Sequence, residues 1–269
     1  MSTADATTFA DGGMVIDSQA FITAWQQQHA KLTTPMHAAF TPPALAPLSS
    51  PQALAHVATL KSHALFTKIY GAVAQIEMIE LGRLIASQWW VDTHVSGGLH
   101  GAGVQASPTE ADILNKCLPP DIVPPVQAVQ WGAAPNGVVV YSTNNTLGVV
   151  GPNVNPLTGQ ITYAVGPGAN LMLVREFAGR YVLVNGYHRA WLLRSRGVSM
   201  VPAVITHVAA QKDVAPEPGF IPEPILFGAR PPTIDDFFDN TLSSDIEVRA
   251  ILKAVKITAE VSIVPRLLY

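Results

Sequence analysis

A single cysteine, Cys117, stands in 269 residues, so the chain has no internal disulfide to form and no multi-cysteine metal site to build. It reads as a small buried or half-buried side chain. Charge is scarce as well: Asp, Glu, Lys and Arg make up 13% of the chain against 48% hydrophobic residues, roughly half the charged fraction usual for soluble domains. Much of the surface is therefore neutral, or a partner covers part of it. The net charge of −3 gives no global attraction to nucleic acid, although a local basic patch could still bind it. No uninterrupted apolar run reaches the roughly 18 residues that span a bilayer, and the opening Met1-Ser2-Thr3-Ala4-Asp5-Ala6 is no basic region leading into an apolar one. The expectation is a soluble, cytoplasmic protein without a membrane partner.

Proline and glycine are plentiful, 22 and 20 residues, and their placement divides the chain. Residues 1–18 read as a loose tail and 17–31 as a helix, with Ser18 as cap and Phe21, Ile22 and Trp25 on one face. Pro35, Pro42, Pro43, Pro47 and Pro51 forbid regular structure before a second helix, Pro51 to Tyr70. Ser49 or Ser50 caps that helix, and Leu54, Val57, Leu60, Leu65 and Ile69 are its apolar positions. Val73 to Ile79 alternates as a strand, followed by a short connector, Leu81 to Ile85, and a polar turn at Ser87-Gln88. Val95 to Gly103 is a Gly-rich loop, and His94 and His100 are too irregularly spaced to signal a metal. Ser107-Pro108-Thr109-Glu110 opens a short helix ending near Leu118. Four β-type runs follow between 126 and 165, an insertion of hairpins spanning about 97–165.

Near the C-terminus, Pro216 to Pro232 is another extended connection. Thr233 with Asp235, Asp236 and Asp239 marks a helix start; Mg²⁺ coordination by these acids is the lesser reading. Ala254 to Pro265 alternates as a strand expected to add an edge to the core or to make a dimer contact. The domains expected are 1–70, a core at 71–210 holding the insertion, and a C-terminal extension at 211–269. The fold class is α+β: a small mixed sheet flanked by helices, with Pro-rich segments wrapping it.

The richest stretch for function is Tyr181 to Gly197, continuing into Val201-Pro202-Ala203-Val204-Ile205. Leu171 to Glu176 and Tyr181 to Val184 read as strands joined by a turn at Ala178-Gly179-Arg180. Asn185-Gly186 is the strongest short turn signal, and Gly197 after Arg194 and Arg196 is a helix stop. The turn thus delivers His188 and Arg189 into the first turn of a helix. Backbone N–H groups there lack internal partners and the helix dipole is positive, which suits a phosphate. Five arginines between 175 and 196 stand against Glu176 alone; Arg194 and Arg196 read as solvated positions complementing the helix C-terminus. A non-functional reading stands beside this one: Tyr187 and Trp191 simply pack, and the His-Arg pair bonds carbonyls and carboxylates.

The string Val184-Asn185-Gly186-Tyr187-His188-Arg189-Ala190, with Val201-Pro202-Ala203-Val204-Ile205 downstream, resembles the nucleotide-binding core of the ParB/sulfiredoxin-like superfamily. There a strand ends in Gly and a His-Arg or Arg-Arg pair opens the next helix onto nucleotide phosphates. The resemblance implies Gly186 as the turn glycine, and Gly186, Tyr187, His188 and Arg189 as the nucleotide or phosphate site. It covers about residues 170–208, with a weaker echo at 72–96 that implies Gln88, Asp92 and His94 as second-tier candidates; loop hydrogen bonding is the alternative for each. Tyr187 occupies the position of the sulfiredoxin catalytic cysteine, and Tyr187-His188 replaces the acidic residue and Arg of the chromosome-partitioning branch. Neither of those chemistries carries over.

Two functions compete. One is an Mg²⁺-dependent nucleotide hydrolase or phosphotransferase acting on ATP or CTP, where positioning and electrostatics carry the catalysis. Its base is not identifiable among Glu80, Asp92 and Asp236. The other is a non-catalytic module, a homodimer or partner-binding protein gated by nucleotide. DNA binding is disfavoured, because 209–269 holds no recognition helix after the core.

Overall fold

The computed structural model describes residues 40–71, 74–96, 104–120, 130–134, 137–142, 147–158, 160–167, 170–214, 221–246 and 253–258, with Gln19, Ile22, Thr23, Gln26 and Gln27. Those five positions are helical. The rest of the helix expected at 17–31, most of the Gly-rich loop at 97–103 and the tail beyond Thr258 lie outside the described residues.

The first elements in chain order are β1 (Leu45–Ala46), α1 (Pro51–Ser62), α2 (Ala64–Tyr70), β2 (Gln75–Glu80) and β3 (Ile85–Ala86). After them come α3 (Thr93–Val95), α4 (Glu110–Cys117), β4 (Gln130–Ala134), β5 (Gly137–Ser142), β6 (Leu147–Val154) and β7 (Ile161–Pro167). The last are β8 (Leu173–Phe177), β9 (Arg180–Asn185), α5 (Tyr187–Ser195), β10 (Met200–His207), α6 (Glu223–Leu226) and β11 (Lys253–Thr258). This is an α+β protein. Two compact units divide the chain, one drawn from 1–122 and 170–249, the other from 123–169 and 250–269.

The first unit is built on a mixed six-stranded sheet of order β1-β2-β10-β8-β9-β3. β10 runs antiparallel to β2 and parallel to β8, and β3 runs parallel to β9. Val201 to Ile205 are buried in succession, as expected for a central strand covered on both faces. Pro202 is tolerated there because β8 pairs only with Val204 to His207, so at Pro202 no second neighbour needs its missing N–H. The β8–β9 connection is the expected hairpin, with Ala178 and Gly179 both at positive φ, 52° and 76°. That is the turn whose twist matches the strands.

Several expectations are corrected in detail. The helix expected over 51–70 is two helices, broken at His63, whose extended backbone caps the second. Ser50 caps the first, accepting from Ala53 N–H at 3.0 Å. The buried face is Ala53, Leu60 and Phe66, while Leu54 and Ile69 are exposed; the small Ala53 lets α1 lie close where Leu54 would not. α4 is capped by Thr109, not Ser107, in a reciprocal capping box with Asp112. It packs against α1, β10 and α5, so a helix at 110–117 belongs to the first unit although the expected insertion began near 97.

The second unit holds the hairpins. β4 and β5 pair antiparallel, β6 and β7 pair antiparallel with an irregularity between Val150 and Asn153. β11 pairs antiparallel with β5, Thr258 opposite Gly137. The C-terminal strand thus extends the hairpin sheet rather than the core sheet. A Cβ at Gly137 would lie 1.9 Å from the Ile257 carbonyl oxygen, so the pairing needs glycine there.

The acids of 233–239 open a 3₁₀ turn, Ile234–Phe238, with Thr233 and Asp236 forming its capping box. Two of them are taken by arginines, while Asp239 accepts from Thr241 N–H at 2.8 Å. Asp236 pairs with Arg230, and Asp235 accepts from Arg194 Nε at 2.5 Å. Arg194, expected as a solvated dipole partner, is therefore half of an ion pair.

Candidate functional site

The site begins with a backbone requirement. β9 must hand over to α5 without a gap, and Gly186 does so at φ 106°, a conformation that other residues rarely adopt. Asn185 steadies the strand end, its side-chain amide donating to Leu171 O at 3.0 Å. The first internal bond of α5 runs from Ala190 N–H to Gly186 O at 2.8 Å, and no side chain caps the helix. The N–H groups of Tyr187, His188 and Arg189 therefore stand outside the helix ladder, at the positive end of its dipole.

Arg189 is 3% exposed. Its Nη1 donates to Lys116 O at 2.9 Å and to Asn170 O at 2.6 Å, so the last turn of α4 turns a carbonyl toward the charge, the favourable end of a helix for a cation. Nη2 is buried with no hydrogen-bond partner among the described residues. A Cβ on Gly186 would lie 3.2 Å from that same Nη2, which places the unpartnered nitrogen against the cap of α5. The groups that feel this guanidinium include Tyr70, Cys117, Lys116 and His188. Burial pushes the Tyr70 phenol and the Cys117 thiol each up to about 12, with Arg189 opposing. Burial, then Arg189, holds the Lys116 ammonium below its ordinary value. Arg189 itself is lowered by burial, and both groups that favour its charge, Cys117 and Tyr70, are weak acids. Among the described residues no carboxylate forms an ion pair with it. A buried cation without an anionic partner is costly.

His188, half-buried, is pulled below its ordinary pKa by burial; the Asp92 carboxylate opposes this and Arg189 adds to it. Asp92 precedes α3, which packs against α5, so the structure brings one second-tier residue to the motif. Gln88 is half-buried on the same loop, and His94 is exposed on α3. Tyr187 points inward. Its hydroxyl bonds to Leu183 O, contacts Ser87 Oγ, and accepts from Ser87 N–H at 2.9 Å, so the phenol is held by its own fold. Trp191, four residues on, stacks on Phe238 with ring centroids 5.7 Å apart.

Sequence reasoning missed Lys116 and Asn170, which act through backbone carbonyls that every residue carries and so leave no side-chain signal. Ser87 was visible only as part of a polar turn. Among the described residues no group of three or more His, Cys, Asp or Glu could hold a metal, and no helix is long and apolar enough to cross a membrane. No family model, curated protein or solved structure matches this chain.

Proposed function

We propose that this chain binds the phosphate groups of a nucleotide, ATP or CTP among the candidates, at the N-terminus of α5. The observation that carries the reading is the buried Nη2 of Arg189, unpartnered and set against the uncapped helix end at Gly186. An anion there would sit at the positive end of the α5 dipole and neutralise a cation that has no carboxylate ion-pair partner among the described residues. His188 lies on the rim, its ring accompanied by Asp92, and becomes a further donor once an anion raises its pKa. Gly186 and Tyr187 shape the site; Tyr187 does so through Ser87. The strand, Gly turn, His-Arg helix and Val-Pro strand add support, being the features shared with the ParB/sulfiredoxin-like superfamily. Turnover of the bound nucleotide, as an Mg²⁺-dependent hydrolase or phosphotransferase, is the catalytic form of this proposal, with the Asp92–His188 pair as the available proton acceptor. A nucleotide-gated dimer without turnover is the other form.

The test is a thermal-shift panel of ATP, ADP, CTP, GTP and pyrophosphate, with and without Mg²⁺, on the wild type, His188→Ala and Arg189→Met. Ligand at about 100 times its dissociation constant stabilises a fold by roughly 2.7 kcal/mol. Stabilisation of the wild type that shrinks in His188→Ala and vanishes in a folded Arg189→Met supports the site. No shift by any ligand, at millimolar concentration, sinks it.

A further inference from the structure

Pro202 and Met78 stand opposite each other on β10 and β2, ahead of the point, Val204, where β8 begins to pair with β10. α4 packs on β10, and α1 packs on α4. These elements do not close completely. They leave a cavity of about 260 Å³ lined by Ala53 of α1, Met78, Pro202, and Glu110, Ile113 and Leu114 of α4. The three α4 residues stand at i, i+3 and i+4 and so share one face of the helix. Ala53 adds only a methyl group to the opposite wall. Glu110 is the one charged side chain in this lining. It is held in place by the cap of α1: Ser50 Oγ donates to Glu110 Oε1 at 2.5 Å while accepting from Ala53 N–H at 3.0 Å. Glu110 is exposed, whereas Ala53, Leu114 and Pro202 are buried, so the carboxylate stands at the mouth with the apolar walls behind it.

We propose that this cavity is a binding site for a small primary amine, an ammonium group carried on a hydrocarbon body of benzyl size. It is separate from the α5 N-terminus and does not rest on the phosphate reading. An apolar cavity of about 150 Å³ is enough to hold benzene, so the larger space here takes such a ring with a short arm. Met78, unbranched and adaptable, can fit its thioether to the ring. Burial of the hydrocarbon supplies the attraction, and Glu110 supplies the choice of head group. An ammonium makes a charge-assisted hydrogen bond to the carboxylate. An alcohol of the same shape can donate but brings no charge, and an acid meets a like charge. The expected order is therefore amine, then alcohol, then acid.

The experiment is a methyl ¹H–¹³C titration of the full chain with benzylamine, benzyl alcohol and benzoate, on the wild type, Glu110→Gln and Ala53→Leu. Folding of each is checked by far-ultraviolet circular dichroism. In the wild type, benzylamine should shift the methyl signals of Met78, Ile113 and Leu114 together, with one dissociation constant of about 1 mM or tighter. In Glu110→Gln the amide oxygen still accepts from Ser50, so the cavity is kept and only the charge is lost. Benzylamine should then bind about tenfold more weakly, the difference between a charged and a neutral partner, while benzyl alcohol changes little. A folded Ala53→Leu, its side chain filling the space, should bind neither. Benzylamine that leaves these three methyl signals unmoved overturns the proposal. So does a wild type that binds benzyl alcohol or benzoate as tightly as benzylamine, or a Glu110→Gln that keeps wild-type affinity for the amine. Should Ala53→Leu fail to fold, the Glu110→Gln comparison decides alone.

Discussion

The hydroxyl of Tyr187 accepts the backbone N–H of Ser87 at 2.9 Å across a separation of 100 residues. The same hydroxyl bonds to Leu183 O four residues back on β9, and Ser87 Oγ donates to that carbonyl at 2.9 Å. Both residues are buried. This small network joins the end of β3 to the start of α5 and fixes the turn at Gly186 in between. Burial raises the phenol well above its ordinary pKa, so it stays a neutral donor at any physiological pH.

Removing that hydroxyl leaves a buried N–H without its acceptor. Tyr187→Phe should therefore lose about 1–3 kcal/mol of unfolding free energy, the usual cost of such an orphan. Urea denaturation measures it. A loss below about 0.5 kcal/mol would mean that the network does not hold the turn.

His188 supplies a pH signature. Its folded pKa lies below the ordinary 6.5 because burial disfavours the charged form. The folded state then binds fewer protons than the unfolded one. The stability held above the unfolded value is lost as pH falls from about 6.5 through the lower folded value. In thermal melts across this interval the wild type should lose stability relative to His188→Gln as pH falls, the variant lacking that part of the slope. Parallel curves would place His188 in solvent.

Cys117 is fully buried, and its thiol is pushed up to about 12. At pH 8 it should hold roughly a thousandfold less thiolate than a free cysteine. Disulfide-exchange labelling of the native protein should thus be silent, and should appear only at denaturant concentrations that unfold it. Rapid labelling without denaturant would contradict the packing of α4 against α5.

How much of this could be read from the chain alone differs by element. Tyr181 to Ile205 was legible because each signal was local: β-branched strand, Asn-Gly turn, Gly stop, β-branched strand. The break at His63 was not, because His63 caps α2 with its own ring, accepting from Leu65 N–H at 3.2 Å, and histidine is no strong cap signal. The partner of the C-terminal strand was also hidden. Alternation reports that a strand has one apolar face, but not which sheet it joins. In the site, the motif residues stood out by type, whereas the environment of Arg189 depends on the carbonyls of Lys116 and Asn170. Those come from distant segments and are decided only by packing.

The central claim is an anion at the α5 N-terminus, and it can be read at the atoms concerned. A ¹H–¹⁵N correlation spectrum of the wild type, titrated with pyrophosphate, observes the amides of Tyr187, His188 and Arg189 without altering the buried arginine. The account predicts that these three amides, and the Arg189 side-chain N–H signals, shift together and saturate with one dissociation constant. Shifts confined to other residues, or none up to millimolar pyrophosphate, would contradict it.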